Sequence, residues 1–358
     1  MNLMTLTEVS YYARKYMPFA ILSVLVVLIL YYSVKLTFIY IEAQKPVVLP
    51  LDTSLGKIIV PQISKSSSSA NLKFKLDTVE GEPVIATEAA KVFFIPKNVP
   101  RFGYLEKIAL VAKTLGFEIS NITRQQEGNT FSFQGDNQSL SIDNATFNFT
   151  YDYDFQKDQS VFTDVVTPQK SDAERTASDF LKKIGRYPDE LAQGKTNTIF
   201  MKYDPVENKV TPLQDRTDAN LVEVDFYRPD IEGVPVVTPG YFNSQNYVMM
   251  VFYGDNVEKP PKILRAQIKF FDKSSDQVGF YPLKSGKQAY EELSTGSPSA
   301  QVVSNKSTSG KITIKKLFLG YFDPEIYQEF LQPVFVFVGS DDFVGYVPAI
   351  SSEYAVQP

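Results

Sequence analysis

The sequence contains no cysteine, no histidine and no tryptophan among its 358 residues. Without cysteine the protein has no thiolate nucleophile and no disulfide, and without histidine it has no imidazole base and no nitrogen-ligated zinc site. Catalysis would have to rest on carboxylates, lysine, tyrosine or serine, or on a hard metal with oxygen ligands. We therefore expect a protein that is not an enzyme, with no catalytic residues, no cofactor and no metal site.

The sequence also lacks a long run of basic residues, and its formal net charge is −5. Binding to the phosphate backbone of nucleic acids depends on clustered basic side chains, so nucleic acid is not an expected partner. Hydrophobic residues make up 44% of the chain, which is enough for a sizeable core. The length leaves room for two compact units of roughly 100–200 residues each.

One long apolar segment, Tyr16–Val34, lies between Lys15 and Lys35 and carries no charged residue. As a helix its 19 residues extend about 28 Å, close to the ~30 Å hydrocarbon core of a bilayer. The span continues toward Ile41 if the Lys35 amine reaches the interface. We predict a cytoplasmic leader at 1–15 and a single transmembrane anchor at 16–41.

A cleaved signal peptide is the alternative to an anchor, but Tyr31 and Tyr32 follow the apolar centre where a cleavage site requires small residues. An N-terminal anchor commonly leads the following domain across the membrane. We therefore expect a cytoplasmic N-terminus and an extracytoplasmic C-terminal domain at the cell membrane. Four small or polar anchor positions are candidates for contact with another membrane protein: Ala20, Ser23, Ser33 and Lys35.

Composition divides the rest of the chain into predicted modules. Residues 42–70 contain several prolines and a serine run, which is typical of a stalk. A polar, proline-containing stretch at 157–170 predicts a linker. These boundaries give a first α+β module at 71–156, a second α+β region at 171–350 and a tail at 351–358.

The first module has the predicted order β-β-α-β-β-β, with an amphipathic helix over Arg101–Leu115. Its last strand, Thr146–Tyr153, alternates aromatic and polar residues with a period of two. The aromatic residues of this ladder are Phe147, Phe149, Tyr151 and Tyr153. Such a ladder is either an exposed surface for a ligand or partner, or the buried face of a sheet under a helix. The sequence leaves both interpretations open.

Two capping-box sequences, Ser171–Glu174 and Ser285–Gln288, predict helices in the second region. Strands follow each helix, so we predict a duplicated α-β-β-β unit. We also predict a β-hairpin between Ile263–Phe271 and Val278–Tyr281. The expected fold class is α+β, with antiparallel-sheet modules each covered by a helix.

Two strand patterns make more specific predictions. Glu223 and Asp225 alternate with apolar residues, so we expect them on a solvent-facing side of their sheet. In Lys311–Tyr321 the apolar residues change phase halfway along the segment. One face of a regular strand cannot bury both sets, so we predict a β-bulge or sharp twist near Lys315-Lys316.

The C-terminal half contains an ordered series of segments: FYPL from Phe280, then GKQAYEEL, ITIKKLFLGYFDP, LQPVFVFVG and FVGYVPAI. This series resembles the C-terminal half of YycH and YycI, the membrane regulators of bacterial cell-wall sensor kinases, and is similar to PepSY-type modules. The resemblance covers about residues 171–350. It implies a single N-terminal span and a non-enzymatic extracytoplasmic domain. It also implies a partner, such as a sensor kinase, contacted partly through the membrane helix.

Three functions remain open at this point. The leading hypothesis is a regulatory or scaffolding protein that acts through protein–protein contact in the cell envelope. The second is a module that binds a cell-wall glycan or peptide on the aromatic ladder. The third and weakest is a carboxylate-based hydrolase.

Overall fold

A computed structural model describes residues 6–43, 51–63, 66–78, 88–100, 103–117, 125–254 and 259–357. The chain forms two units, Met1–Pro50 and Leu51–Pro358. The first unit contains one long helix. The second is a mixed α+β body built on two large sheets.

Helix α1 of the first unit spans Leu6–Ala43. Its segment Arg14–Phe38 is long and apolar enough to cross a membrane, in agreement with the predicted anchor. The hydroxyl of Ser23 donates to the Phe19 carbonyl at 2.9 Å, so this polar position is satisfied within its own helix. Ser33 and Lys35 are exposed on α1, and the side chain of Ala20 lies outside the described part of the chain.

The second unit has four α-helices and a 3₁₀ turn in its described residues. The helices are α2 (Tyr104–Thr114), α3 (Lys170–Lys183), α4 (Asp189–Gln193) and α5 (Gly286–Thr295), and the 3₁₀ turn is Gln159–Phe162. The strands of its N-terminal part are β1 (Ile58–Ile59), β2 (Ser67–Ser68), β3 (Lys73–Leu76), β4 (Ala89–Phe94), β5 (Gln125–Glu127), β6 (Thr130–Gln134), β7 (Gln138–Asp143), β8 (Phe149–Tyr153) and β9 (Val165–Val166). The remaining strands are β10 (Lys195–Asp204), β11 (Lys209–Pro212), β12 (Leu221–Tyr227), β13 (Val236–Val237), β14 (Tyr247–Tyr253), β15 (Lys262–Ile268), β16 (Val278–Pro282), β17 (Gln301–Ser304), β18 (Lys311–Phe322), β19 (Phe330–Gly339), β20 (Val344–Pro348) and β21 (Ala355–Val356).

Within the described residues, ten strands form the first sheet in the order β11-β10-β12-β14-β15-β8-β7-β6-β5, with β9 paired to β14. All pairs of this sheet are antiparallel. The second sheet has nine strands and follows the path β13-β18-β19-β20-β17-β2, with β3, β4 and β16 attached beside it. The predicted α+β class with antiparallel sheets is confirmed in this coarse form.

The structure does not divide the chain at the predicted linker 157–170. Strand β8 pairs with β15, and β4 pairs with β16, so residues 71–156 contribute strands to both sheets. The described part of the predicted stalk 42–70 also differs, because β1 pairs with β21 of the predicted tail and β2 pairs with β17. Backbone pairing between distant segments builds one unit from Leu51 to Pro358.

Helices cover both sheets. Helices α2 and α3 bury Ile108, Ala177 and Leu181 against apolar residues of the ten-stranded sheet. Helix α5 buries Ala289 and Leu293 against the nine-stranded sheet. The apolar spacing predicted for these helices therefore identifies their buried faces. The second sheet does not repeat the strand order of the first, and a duplicated α-β-β-β unit is not confirmed.

The two predicted capping boxes have different outcomes. Ser285 caps α5 as predicted, and Gln288 returns the hydrogen bond. Helix α3 instead begins at Lys170, which places Ser171 inside the helix. Glu174 accepts hydrogen bonds from the hydroxyls of Thr196 and Thr198 at 2.9 and 3.1 Å, so it ties α3 to β10 rather than to its own N-terminus.

The predicted bulge is confirmed, because the β18–β19 register shifts between Ile314 and Lys316. The predicted hairpin is wrong, since β15 and β16 belong to different sheets. The predicted solvent-facing side of β12 is also wrong, because Glu223 and Asp225 are 8% and 0% exposed. The segment that carries Phe155 and Val161 packs on that side of the sheet, against neighbouring apolar residues of β12 and β14.

Candidate ligand-binding groove

The predicted aromatic ladder lies beneath α2 and α3. Phe149 and Tyr151 are 1% and 4% exposed in the core between these helices and the ten-stranded sheet, while Phe147 and Tyr153 pack at its margin. Strand β8 starts at Phe149, later than predicted, because Asp143 accepts hydrogen bonds from two following amides and closes a turn. Phe147 lies in this turn with a φ of 57°. The ladder is therefore mainly a buried face.

Two cavities open where this buried face ends. The larger has a volume of about 790 Å³ and includes Tyr151 and Tyr153 in its lining; the smaller has about 420 Å³ and includes Phe147. Residues of both α2 and α3 line each cavity, and Lys183 lines both. We call the two cavities together the helix groove. Three of the four predicted ladder residues therefore reach it, and Phe149 does not.

The larger cavity combines aromatic rings with polar and cationic side chains. The Lys262 amine lies 3.6 Å from the centroid of the Tyr153 ring. The Tyr153 hydroxyl donates to Asp158, and the Tyr151 hydroxyl donates to Gln138 Oε1 at 3.0 Å. This end of the groove therefore offers ring faces, amides and charges of both signs.

The tyrosines of this cavity remain protonated near neutral pH. Burial, followed by the hydrogen bond to Asp158, raises the pKa of Tyr153 to about 12. Burial also raises the pKa of Tyr151 well above its ordinary value. Hydrogen bonds from Ser160 and Tyr153 lower the pKa of Asp158, which stays a carboxylate. The arrangement suits recognition by hydrogen bonding and ring contact rather than proton transfer.

The lining of the smaller cavity includes four cationic and two aromatic side chains. Its described lining residues are Asn98, Tyr104, Lys107, Leu110, Ala145, Thr146, Phe147, Lys182, Lys183, Ile184, Gly185, Arg186 and Asp272. The rings of Tyr104 and Phe147 meet edge to face at 4.4 Å between centroids. Nη2 of Arg186 donates to Asn148 Oδ1 at 2.8 Å and to the Phe270 carbonyl at 3.0 Å. Burial lowers the pKa of Arg186 to about 10, and Asp272 offsets this only in part.

A second arginine, Arg228, lies at the end of β12, is buried, and has a different environment. Its Nε donates to Asp323 Oδ1 at 2.8 Å, and its Nη1 donates to Glu190 Oε2 at 2.6 Å. Burial alone would lower the pKa of Arg228, but Asp323 and Glu190 outweigh burial and raise it. Lys273 also pairs with Glu190. This cluster connects α4, β12 and the end of β18.

The buried carboxyls of Glu223 and Asp225 are the strongest acid–base candidates. Burial raises the pKa of Glu223 to about 7, and Asp225 adds to the effect. Burial likewise raises the pKa of Asp225 to about 6. Neither residue is among the described residues that line the helix groove. The described residues also contain no group of three or more acidic side chains placed to hold a metal.

Sequence reasoning identified the aromatic part of the groove but not its cations. Lys182, Lys183 and Arg186 are visible in the sequence after the apolar stripe of α3. Basic residues at a helix C-terminus are common because they complement the helix dipole, so this pattern alone does not indicate a ligand. The fold supplies the missing information by placing Lys107 of α2 in the same cavity.

No family model and no curated protein matches the chain. Solved structures with similarity to it include an uncharacterized protein from Eubacterium rectale, at 14% identity and a TM-score of 0.35. That match covers 80% of this chain and 86% of the other. The resemblance to the YycH and YycI regulators therefore remains a prediction.

Proposed function

We propose that this protein is a non-enzymatic, membrane-anchored binding protein that holds a cell-wall glycan or peptide segment in the helix groove. In this proposal α1 anchors the chain, and the unit from Leu51 to Pro358 lies outside the cytoplasm. The observation that carries the proposal is the pair of cavities of 790 and 420 Å³ that α2 and α3 both line, the larger at β8 and the smaller at the turn before it.

The chemistry of the larger cavity supports a polar polymer as the ligand. Pockets that bind ligands combine apolar surface with a few placed polar groups, and this one is within the usual size range of about 300–1,000 Å³. Tyr153 and Tyr253 offer rings, while Asn137 and Gln138 offer amides. Rings and amides together match the hydroxyl and amide groups of glycans and peptides.

The experiment uses the full-length chain in non-ionic detergent, with soluble glycan strands and stem peptides titrated separately. We expect Tyr153→Ala to weaken binding of one of them about fivefold to tenfold, through lost ring contact. Lys262→Ala is a second variant of the same cavity. Phe242→Ala is the matched control, because Phe242 is 46% exposed and does not line the groove.

A companion experiment, crosslinking and pull-down, tests the regulatory hypothesis. A version in which 18–41 is replaced by an unrelated apolar span is compared with the native chain in crosslinking and pull-down. The proposal predicts that this version retains its ligand, because the groove lies in the second unit. Loss of partners on replacing the span, with binding unaffected by Tyr153→Ala, would contradict the proposal in favour of a regulator that acts through its membrane helix.

A further inference from the structure

Arg186 is a half-buried cation that forms no ion pair with a carboxylate among the described residues. Both of its hydrogen bonds go to neutral carbonyl oxygens, those of the Asn148 side chain and the Phe270 backbone. Its Nε atom is enclosed and has no hydrogen-bond partner. A buried charge is costly unless it is paired, and an enclosed donor without an acceptor adds to that cost. Within the described residues Asp272 offsets this cost only in part.

The other charges around the smaller cavity increase the imbalance. Lys107, Lys182 and Lys183 line it together with Arg186, and Asp272 is the acidic residue among its described lining. Lys182 is 3.5 Å from Asp179 on its own helix, whereas Lys107 and Lys183 form no ion pair within the described residues. With Lys182 paired to Asp179, the other three cations face the carboxylate of Asp272, which leaves an excess of two positive charges among the described residues at this cavity.

We propose that the smaller cavity binds a phosphate group of the ligand, with Arg186 as its central donor. An excess of two positive charges favours a group that carries two negative charges over a single carboxylate. Nη1 of Arg186 makes none of the hydrogen bonds found within the described residues and is the donor available to a phosphate oxygen, because Nη2 is engaged and Nε is enclosed. The volume of 420 Å³ accommodates a phosphate with part of the group to which it is attached.

This inference rests on the proposed function for the ligand, but its test does not. Inorganic phosphate is titrated into the full-length protein in non-ionic detergent and followed by calorimetry, with acetate as the monoanion comparison. We expect Arg186→Gln to weaken phosphate binding tenfold or more, because a charge-assisted hydrogen bond of about 1.5–3 kcal/mol is lost. Arg265→Gln is the matched control, since Arg265 pairs with Asp152 and lines neither cavity.

A second variant keeps the test decisive if Arg186→Gln does not fold. Lys107 and Lys183 are both exposed, so the double variant Lys107→Gln, Lys183→Gln should fold normally and bind phosphate several-fold more weakly. Tyr153→Ala should lose glycan or peptide binding and keep phosphate binding, which separates this inference from the proposed function. No phosphate binding by the native chain, equal affinity for acetate, or an affinity unchanged in both cavity variants would overturn the inference.

The source of the phosphate is tested in a separate arm. Phosphatidic acid is added to the micelles, and its competition with inorganic phosphate is measured in the native chain and in Arg186→Gln. Competition that depends on Arg186 supports the site and identifies a lipid headgroup as a ligand. Phosphate binding that depends on Arg186 but is not displaced by the lipid supports the site and identifies a soluble phosphate ester.

Discussion

Arg186 and Arg228 lie over the same aromatic ring, that of Phe270, at 5.9 and 3.8 Å from its centroid. Their surroundings nevertheless differ in one respect. Arg228 pairs with Asp323 and Glu190, whereas Arg186 donates to neutral carbonyl groups. Arg228 also lies away from the groove, and Arg186 lines it.

The difference shows how to distinguish a structural cation from one available to a ligand. Arg228 is buried and Arg186 is half-buried, but the clearer difference lies in their charged partners. Arg228 has its counter-ions within the fold, and its role is to connect elements of the two sheets. Arg186 lacks a counter-ion within the described residues, and a ligand anion would supply it. Each of the following variants tests this contrast.

The largest expected effect is the loss of the paired arginine. Arg228→Met should lower the free energy of unfolding by about 3–5 kcal/mol, because it leaves Asp323 as a buried charge without its partner. Far-UV circular dichroism in a urea titration measures the change. The exposed Arg175→Met serves as the control. A loss below about 1 kcal/mol would contradict a structural role for the Arg228 cluster.

A smaller and opposite effect is expected at Glu223, a buried acid whose pKa is raised. Its folded pKa of about 7 exceeds the unfolded value of about 4.3, so the folded state binds more protons between these values and stability falls as pH rises through that window. Glu223→Gln should therefore stabilise the protein by on the order of 1–3 kcal/mol at pH 8 and have little effect at pH 4. If Glu223→Gln changed the free energy of unfolding equally at both pH values, the charge of Glu223 would not be the cause.

Arg186→Gln should change the free energy of unfolding by about 1 kcal/mol or less in the absence of phosphate. Removal of its hydrogen bonds destabilises the fold, but removal of an unpaired, half-buried charge offsets the loss. The same urea titration measures it beside Arg228→Met. If the two arginine variants destabilise the protein equally, the contrast between a structural and a ligand-binding arginine fails.

The smallest effect is expected at Asp272, an exposed acid beside the smaller cavity. If a ligand supplies the counter-ion of Arg186, Asp272 competes with that ligand. Asp272→Asn should then raise the affinity for inorganic phosphate about twofold to threefold, as expected for a screened surface charge. Weaker phosphate binding in this variant would indicate that Asp272 positions Arg186 instead.

Local features of the fold were predictable from the sequence, and long-range pairings were not. The α5 cap at Ser285 and the bulge before Lys316 follow from side-chain chemistry and from periodicity within one segment. The pairing of β8 with β15 joins segments more than 100 residues apart, and no local pattern specifies it. The predicted linker at 157–170 was a polar stretch within one unit.

The same limit applies to the groove. Tyr153 was predicted because aromatic alternation along one strand is a local signal. Arg186 was missed because its importance depends on the absence of an ion-paired carboxylate beside its guanidinium within the described residues. Glu223 and Asp225 were placed in solvent for a similar reason, since the segment that packs on their side of the sheet, against Leu221, precedes them by about 60 residues. Charge compensation is a property of the tertiary structure.

The pairing of β1 with β21 has a consequence for how the protein is made. Ile58 lies opposite Ala355, so β1 finds its partner strand only after nearly 300 further residues have been synthesised. Strands β8 and β4 of the first half likewise pair with β15 and β16 of the C-terminal half, one pair in each sheet. A chain with so many distant contacts folds slowly and exposes unpaired strand edges meanwhile. A chaperone that shields those edges during synthesis is expected to aid the folding of such a chain.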